Sequence, residues 1–115
     1  MRFILAVGLL LAIAVPASAG TVAPRDAGGY VGQTVTVEGT VNQVVTDPSS
    51  RATFLDFGAA YPDMDFTAVI FPDYAHQFQG VGGLNGRLVD VSGVVQLYRG
   101  RQEIILNSPD QLQSK

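Results

Sequence analysis

A chain of 115 residues holds one small domain, and with no cysteine it excludes a disulfide framework, a thiolate metal site, a cysteine nucleophile and a lipid anchor attached through cysteine. Its formal charge of −3 excludes a strongly cationic nucleic-acid packager. Stability must therefore come from packing alone.

Residues 1–19 have the layout of a secretory signal: a basic Arg2, an apolar run over residues 3–15, the helix-breaking Pro16, and Ala17-Ser18-Ala19 ahead of Gly20. The run is shorter than the roughly 18 to 20 residues that span a bilayer. Cleavage after Ala19 is expected, giving a secreted or periplasmic product without stable membrane insertion; an uncleaved anchor is the alternative. Cleavage leaves 96 residues with six basic and ten acidic side chains, a net charge of −4.

Residues 20–29 are rich in Gly, Ala, Thr and Pro without a hydrophobic period and read as a flexible entry segment, with order beginning near Tyr30. Residues 34–41 alternate Thr34, Val35, Thr36, Val37, Glu38, Gly39, Thr40 and Val41, the period of a strand with one buried face. Val35, Val37 and Val41 form that face. Continuing in phase would bury Gln43, so a bulge or bend is expected between Gly39 and Gln43.

Shorter strands follow over residues 53–57 and 66–71, separated by Asp47-Pro48-Ser49-Ser50 and by a turn-rich stretch containing Tyr61-Pro62. Residues 72–85 hold the one place for a helix, with Asp73 capping Tyr74 to Gln79 before Gly80, Gly82 and Gly83 stop it. A fourth strand over residues 88–98 puts Val89, Val91, Val95 and Leu97 on one face and Asp90, Ser92, Gln96 and Tyr98 on the other. Arg99-Gly100 predicts a tight hairpin to a fifth strand over residues 103–107, although Arg is not favoured where such a turn needs positive φ.

Residues 32–41 and 86–95 share the pattern Gly-x-x-Val-x-Val-x-Gly-x-Val, 54 positions apart. Two copies are too few for a solenoid. They predict two long neighbouring strands, each bending at its central glycine, Gly39 or Gly93, as one strand must when it serves two sides of a small closed sheet.

Five strands with a short helix between the third and fourth describe an all-β, five-stranded Greek-key barrel. Val35-Thr36-Val37-Glu38-Gly39-Thr40-Val41, Thr53-Phe54-Leu55-Asp56-Phe57-Gly58, Phe66-Thr67-Ala68-Val69-Ile70-Phe71, Leu88-Val89-Asp90-Val91-Ser92-Gly93 and Glu103-Ile104-Ile105-Leu106 resemble successive strands of the OB-fold. The resemblance is to the anticodon-binding-like OB modules found alone in secreted bacterial proteins or beside nuclease domains, and it covers residues 30–112. It implies a binding module, commonly for nucleic acid, although small periplasmic OB proteins have other ligands.

The resemblance also implies a ligand lying across the second and third strands, between the first loop and the loop joining strands four and five. With Leu55 and Phe57 inward, Phe54 and Asp56 face outward. Tyr61, Phe66 and Tyr98 are further candidate stacking rings; the alternative is that these aromatics cap a small core. The third strand is apolar on both faces, so periodicity leaves open whether Phe66, Ala68 and Ile70 or Thr67, Val69 and Phe71 point inward. Arg51, Arg99 and Arg101 fall where such a fold grips its ligand and can pair with phosphates or stack on bases. Alternatively, Arg99 and Arg101 only solubilise the hairpin. Asp56, Asp63, Asp65 and Asp73 put negative charge near the same face, which makes any nucleic-acid binding weak and salt-sensitive or limited to a short oligomer.

Nothing in the sequence forms a catalytic set. His76 stands alone without a serine or acid at recognisable spacing, and no cofactor fingerprint is present. Asp63-Met64-Asp65 with Asp56 has no readable ligand count for a metal. Staphylococcal-type nucleases catalyse on an OB barrel, but their active-site residues and extra helices have no match here. The expectation is a non-catalytic module, without cofactor, for single-stranded nucleic acid or a similar oligomer. The alternative is an envelope protein-interaction or stress-related OB module.

Overall fold

Alternating β-branched residues open the first strand as expected, and the strand runs beyond the alternation. The computed structural model describes residues 20–115. Six strands, β1 (Thr34–Thr46), β2 (Thr53–Phe57), β3 (Phe66–Ile70), β4 (Leu88–Tyr98), β5 (Arg101–Ile105) and β6 (Leu112–Ser114), form one sheet in the order β1-β2-β3-β5-β4-β6. β1 also pairs with β4, so the sheet closes partly into a ring. β3 and β5 are parallel, and the other strand pairs are antiparallel.

The two long strands close the ring by exchanging partners. β1 pairs with β4 as far as Thr40 and with β2 from Val41 on; β4 pairs with β1 up to Val94 and with β5 from Val95. Gly39 and Gly93 stand within two residues of these exchanges, where a side chain has no room. A Cβ on Gly39 would lie 2.5 Å from Pro24 Cγ, and one on Gly93 would lie 2.7 Å from Ile104 Cγ2. The expected bulge falls at Asn42, because Val41 pairs with Phe57 while Gln43 pairs with the adjacent Asp56. The extra residue flips the phase, so Val41 and Val44 both pack inward and Gln43 stays out of the core.

The core is built from the inward faces: Val37 and Val41 of β1, Leu55 and Phe57 of β2, Phe66, Ala68 and Ile70 of β3, Val89, Val91 and Val95 of β4, and Ile104 of β5 with Leu106 beyond it. The Phe57 and Phe66 rings sit at its centre, 5.4 Å apart and tilted by 51°. Such an aromatic pair adds about 0.5–1.5 kcal/mol beyond its area.

Several expectations are corrected. A sixth strand is present: Leu112, Gln113 and Ser114 pair with Val91, Asp90 and Val89, so the domain extends past residue 112. In place of a helix over Tyr74 to Gln79 there are two 3-10 segments, Pro72–Gln77 and Val81–Leu84, and Asp73 makes no cap. Two turns cut short by glycines cannot repay α-helix nucleation. β5 begins at Arg101, immediately after the hairpin, and ends at Ile105. Leu97 is 58% exposed, because β4 runs past the core toward the hairpin tip.

The entry segment is not a loose lead-in. Val22 N–H donates to Thr36 O at 2.8 Å, and Glu38 N–H donates to Val22 O at 2.9 Å, which adds a parallel bridge to the edge of β1. Pro24–Tyr30 then forms a 3-10 segment that buries Ala27 completely. The segment packs through backbone hydrogen bonds, the buried Ala27 and the Pro24 ring against Gly39, which leave no hydrophobic period. The expected signal at residues 1–19 lies outside the described residues. Among those described, no helix is long and apolar enough to cross a membrane.

Candidate functional site

Strand register creates a polar row on the outer face of the sheet. Gln43 of β1 pairs with Asp56 of β2, Asp56 with Thr67 of β3, Thr67 with Glu103 of β5, and Glu103 with Gln96 of β4. Paired residues share a face, so these five side chains cross the sheet in line. The next row is apolar, with Val45, Phe54, Val69 and Ile105 in register. Asp56 and Glu103 stand two strand spacings apart, roughly 10 Å.

A concavity of about 710 Å³ lies over these rows. Asp56, Thr67 and Glu103 form its floor, Phe54, Val45 and Met64 line it, and Asp47 and Ser50 come from the β1–β2 loop. Arg99, Arg101 and the 64% exposed Tyr61 stand around its opening. The Arg101 guanidinium carbon lies 4.7 Å from the Tyr61 ring centre. A second hollow of about 630 Å³, between the entry segment and β1, contains Arg25 and Asp65 but no aromatic ring.

The floor holds two carboxyl groups, Asp56 buried and Glu103 half-buried. Asp56 is only 2% exposed, and its burial pushes its carboxyl above the usual carboxylate range, opposed by a hydrogen bond from the Thr67 hydroxyl at 3.3 Å and by the Arg101 cation. Burial likewise raises Glu103, and Arg101 again opposes it. Among the described residues, the ion pairs within 4.0 Å join Lys115 to Glu38 and Asp90, so Arg101 influences both floor carboxylates without a direct bridge. Asp47 moves the other way. Ser50 N–H donates to its Oδ2 at 2.7 Å, and such hydrogen bonds hold its carboxyl below the ordinary value.

No protein-family model and no curated protein matches the chain. Solved structures do. An OBody, AM1L10, bound to hen egg-white lysozyme, aligns with a TM-score of 0.55 at 18% identity, covering 76% of this chain and 83% of that one. The fold is OB-like. A second OBody, AM2EP06, also bound to hen egg-white lysozyme, aligns with a TM-score of 0.53 at 15% identity over 75% of this chain and 82% of the other. A chain from Leishmania major Friedlin that carries the name aspartyl-tRNA synthetase aligns with a TM-score of 0.57 at 11% identity. That match covers 87% of this chain but 21% of the larger one, so this chain spans about a fifth of its length.

Within this OB-like fold, Phe54, Asp56, Tyr61, Arg99 and Arg101 line one concavity. Phe66 does not. It is 1% exposed and packed on Phe57, so it is a core residue and offers no ring to a ligand. Asp56 faces outward as expected, but it is covered rather than open to water. Arg51, held at φ 66° in the β1–β2 turn with its N–H donating to Asp47 O, lies outside the concavity's lining. Tyr98 is also outside it, with the Arg99 guanidinium 5.2 Å from its ring centre. Arg99 and Gly100 take φ of 50° and 79°, the left-handed pair that a two-residue hairpin requires.

Sequence reasoning missed Glu103, Thr67, Gln43 and Met64. Glu103 shares the face of Arg101 because β5 begins at Arg101 rather than at residue 103, an earlier start that strand period did not reveal. The others needed the register.

Proposed function

We propose that the protein is a non-catalytic binding module for a short single-stranded nucleic-acid segment. The observation that carries this reading is the layering of the concavity, with hydrogen-bonding groups on the floor, rings at the sides and cations at the mouth. A strand entering bases first puts its π-faces against Phe54 and Tyr61 and its phosphates near Arg99 and Arg101. Asp56 and Glu103 then meet base edges instead of phosphates, so an acidic floor and an anionic ligand are compatible. Its OB-like fold, and a structural neighbour named for a tRNA synthetase, support the same reading. Secretion or periplasmic residence, from the character of residues 1–19, and closure as a five-stranded Greek-key barrel with β6 appended belong to this proposal.

Fluorescence anisotropy of labelled oligonucleotides at low and moderate salt tests it. The expected result is binding that weakens with salt by about 0.7 in logarithmic slope for each phosphate neutralised. Absence of binding to every short oligonucleotide at low salt overturns it. A protein-interaction role is the second reading, favoured by the two OBody structures, which are bound to lysozyme, and by the net charge of −4 on residues 20–115.

A further inference from the structure

The hydrogen-bonding polarity of the floor restricts which bases it can accept. Thr67 has one hydroxyl proton and gives it to Asp56 Oδ1 at 3.3 Å, which leaves the Thr67 oxygen as an acceptor. On either side of it in the register stand two carboxylates, Asp56 and Glu103, which when ionised only accept. The middle of the floor thus presents three acceptors in a row, whereas the nitrogen donors among the lining side chains are the Gln43 amide at the end of that row and the Arg99 and Arg101 guanidinium groups at the opening. Arg101, two residues from Glu103, is drawn toward the Tyr61 ring at the mouth.

We infer that Asp56 and Glu103 are specificity-determining residues that select bases with an exocyclic amino group, cytosine and adenine among them, over uracil and thymine. This rests on the nucleic-acid reading above. Cytosine and adenine carry an exocyclic amino group whose two protons a carboxylate can accept. Uracil and thymine present a single N–H between two carbonyl oxygens, and those oxygens face the carboxylates acceptor to acceptor. A buried acceptor left without a donor forfeits the water it gave up, so the mismatch is penalised more heavily here than on an open surface.

The test compares oligodeoxycytidine with oligodeoxyuridine of equal length by anisotropy at pH 8, chosen to favour the ionised form of two carboxyls whose values burial raises. These two share ring size and lack the thymine methyl, so stacking and phosphate contacts are nearly matched. The protein should bind the cytosine oligomer about tenfold more tightly, the low end of what one good base contact supplies. Asp56→Asn and Glu103→Gln introduce amide donors and should each bring the ratio toward one, mainly by strengthening uracil binding. Thermal melts establish that each variant is folded, and Glu103→Gln leaves the Asp56–Thr67 hydrogen bond untouched. Equal affinities in the parent, or a ratio unchanged in both variants, overturn the selectivity while leaving single-strand binding in place. No binding of either oligomer overturns the binding reading itself, and the selectivity with it.

Discussion

The Arg101 guanidinium carbon lies 4.7 Å from the Tyr61 ring centre, so a cation of β5 and a ring from the β2–β3 loop meet across the mouth of the concavity. The contact has cation–π geometry, worth about 0.5–1 kcal/mol at an exposed site. Removing either partner frees the other, so their effects on binding should not add. Arg101→Ala should reduce the salt dependence of oligonucleotide binding by about 0.7 in slope. Tyr61→Ala should leave the slope nearly unchanged and cost about 1–3 kcal/mol if the ring stacks on a base. Anisotropy titrations of both single variants and the double variant, at several salt concentrations, check this.

Acid should stabilise the fold through its two floor carboxylates before it destabilises it elsewhere. Asp56 and Glu103 have raised values in the folded state, so between those values and the ordinary 3.8 and 4.5 the native state binds more protons than the unfolded chain. Their contribution to stability therefore grows as pH falls through the raised values. Arg101, Arg99, Asp47 and Tyr61 are the other titratable or charged groups lining the concavity. Of these, Asp47 has the opposite sign: its stabilisation holds above 3.8 and is lost as pH falls through its lowered value. Asp56→Asn keeps an acceptor for Thr67 and removes the buried charge, so it should raise Tm at pH 7–8 and flatten the Tm profile between neutral pH and about 4. Melts of the parent and the variant across that range decide it.

Two phenylalanines with similar sequence surroundings should behave differently. Phe66→Ala empties a site in the core and should cost about 3–5 kcal/mol of stability. Phe54→Ala truncates a half-buried ring on the outer face and should cost less stability while weakening oligonucleotide binding. Denaturant unfolding and binding isotherms on both variants separate the two roles.

Gly39→Val and Gly93→Val should each destabilise by about 1–3 kcal/mol, through crowding of Pro24 and of Ile104 respectively. Because Pro24 belongs to the segment bridged to β1, Gly39→Val should also speed amide exchange at Val22 and Glu38, whose N–H groups form that bridge. Melts and hydrogen exchange together test this, and melting curves matching the parent's would remove the steric role assigned to these glycines.

Much of the strand content was legible in the chain because alternation is a local property. Val35, Val37 and Val41 state their common face with no reference to anything distant, and the misfit of Gln43 announces the bulge now found at Asn42. The paired Gly-x-x-Val-x-Val-x-Gly-x-Val patterns likewise marked β1 and β4 as related strands. Only tertiary structure chose the inward face of β3, since Phe66-Thr67-Ala68-Val69-Ile70 is buried on both sides, between the core and the floor of the concavity. It also decided that Leu97 lies beyond the core, and that residues 22–30 pack through backbone hydrogen bonds. The site divided in the same way. Phe54 and Asp56 could be placed outward from strand period alone, whereas Arg101 was read as part of the hairpin, and the row from Gln43 through Asp56, Thr67 and Glu103 to Gln96 exists only because four pairings bring distant segments into register. Periodicity sets which way a side chain points relative to its neighbours in sequence, but its companions and its exposure depend on contacts between segments far apart in the chain.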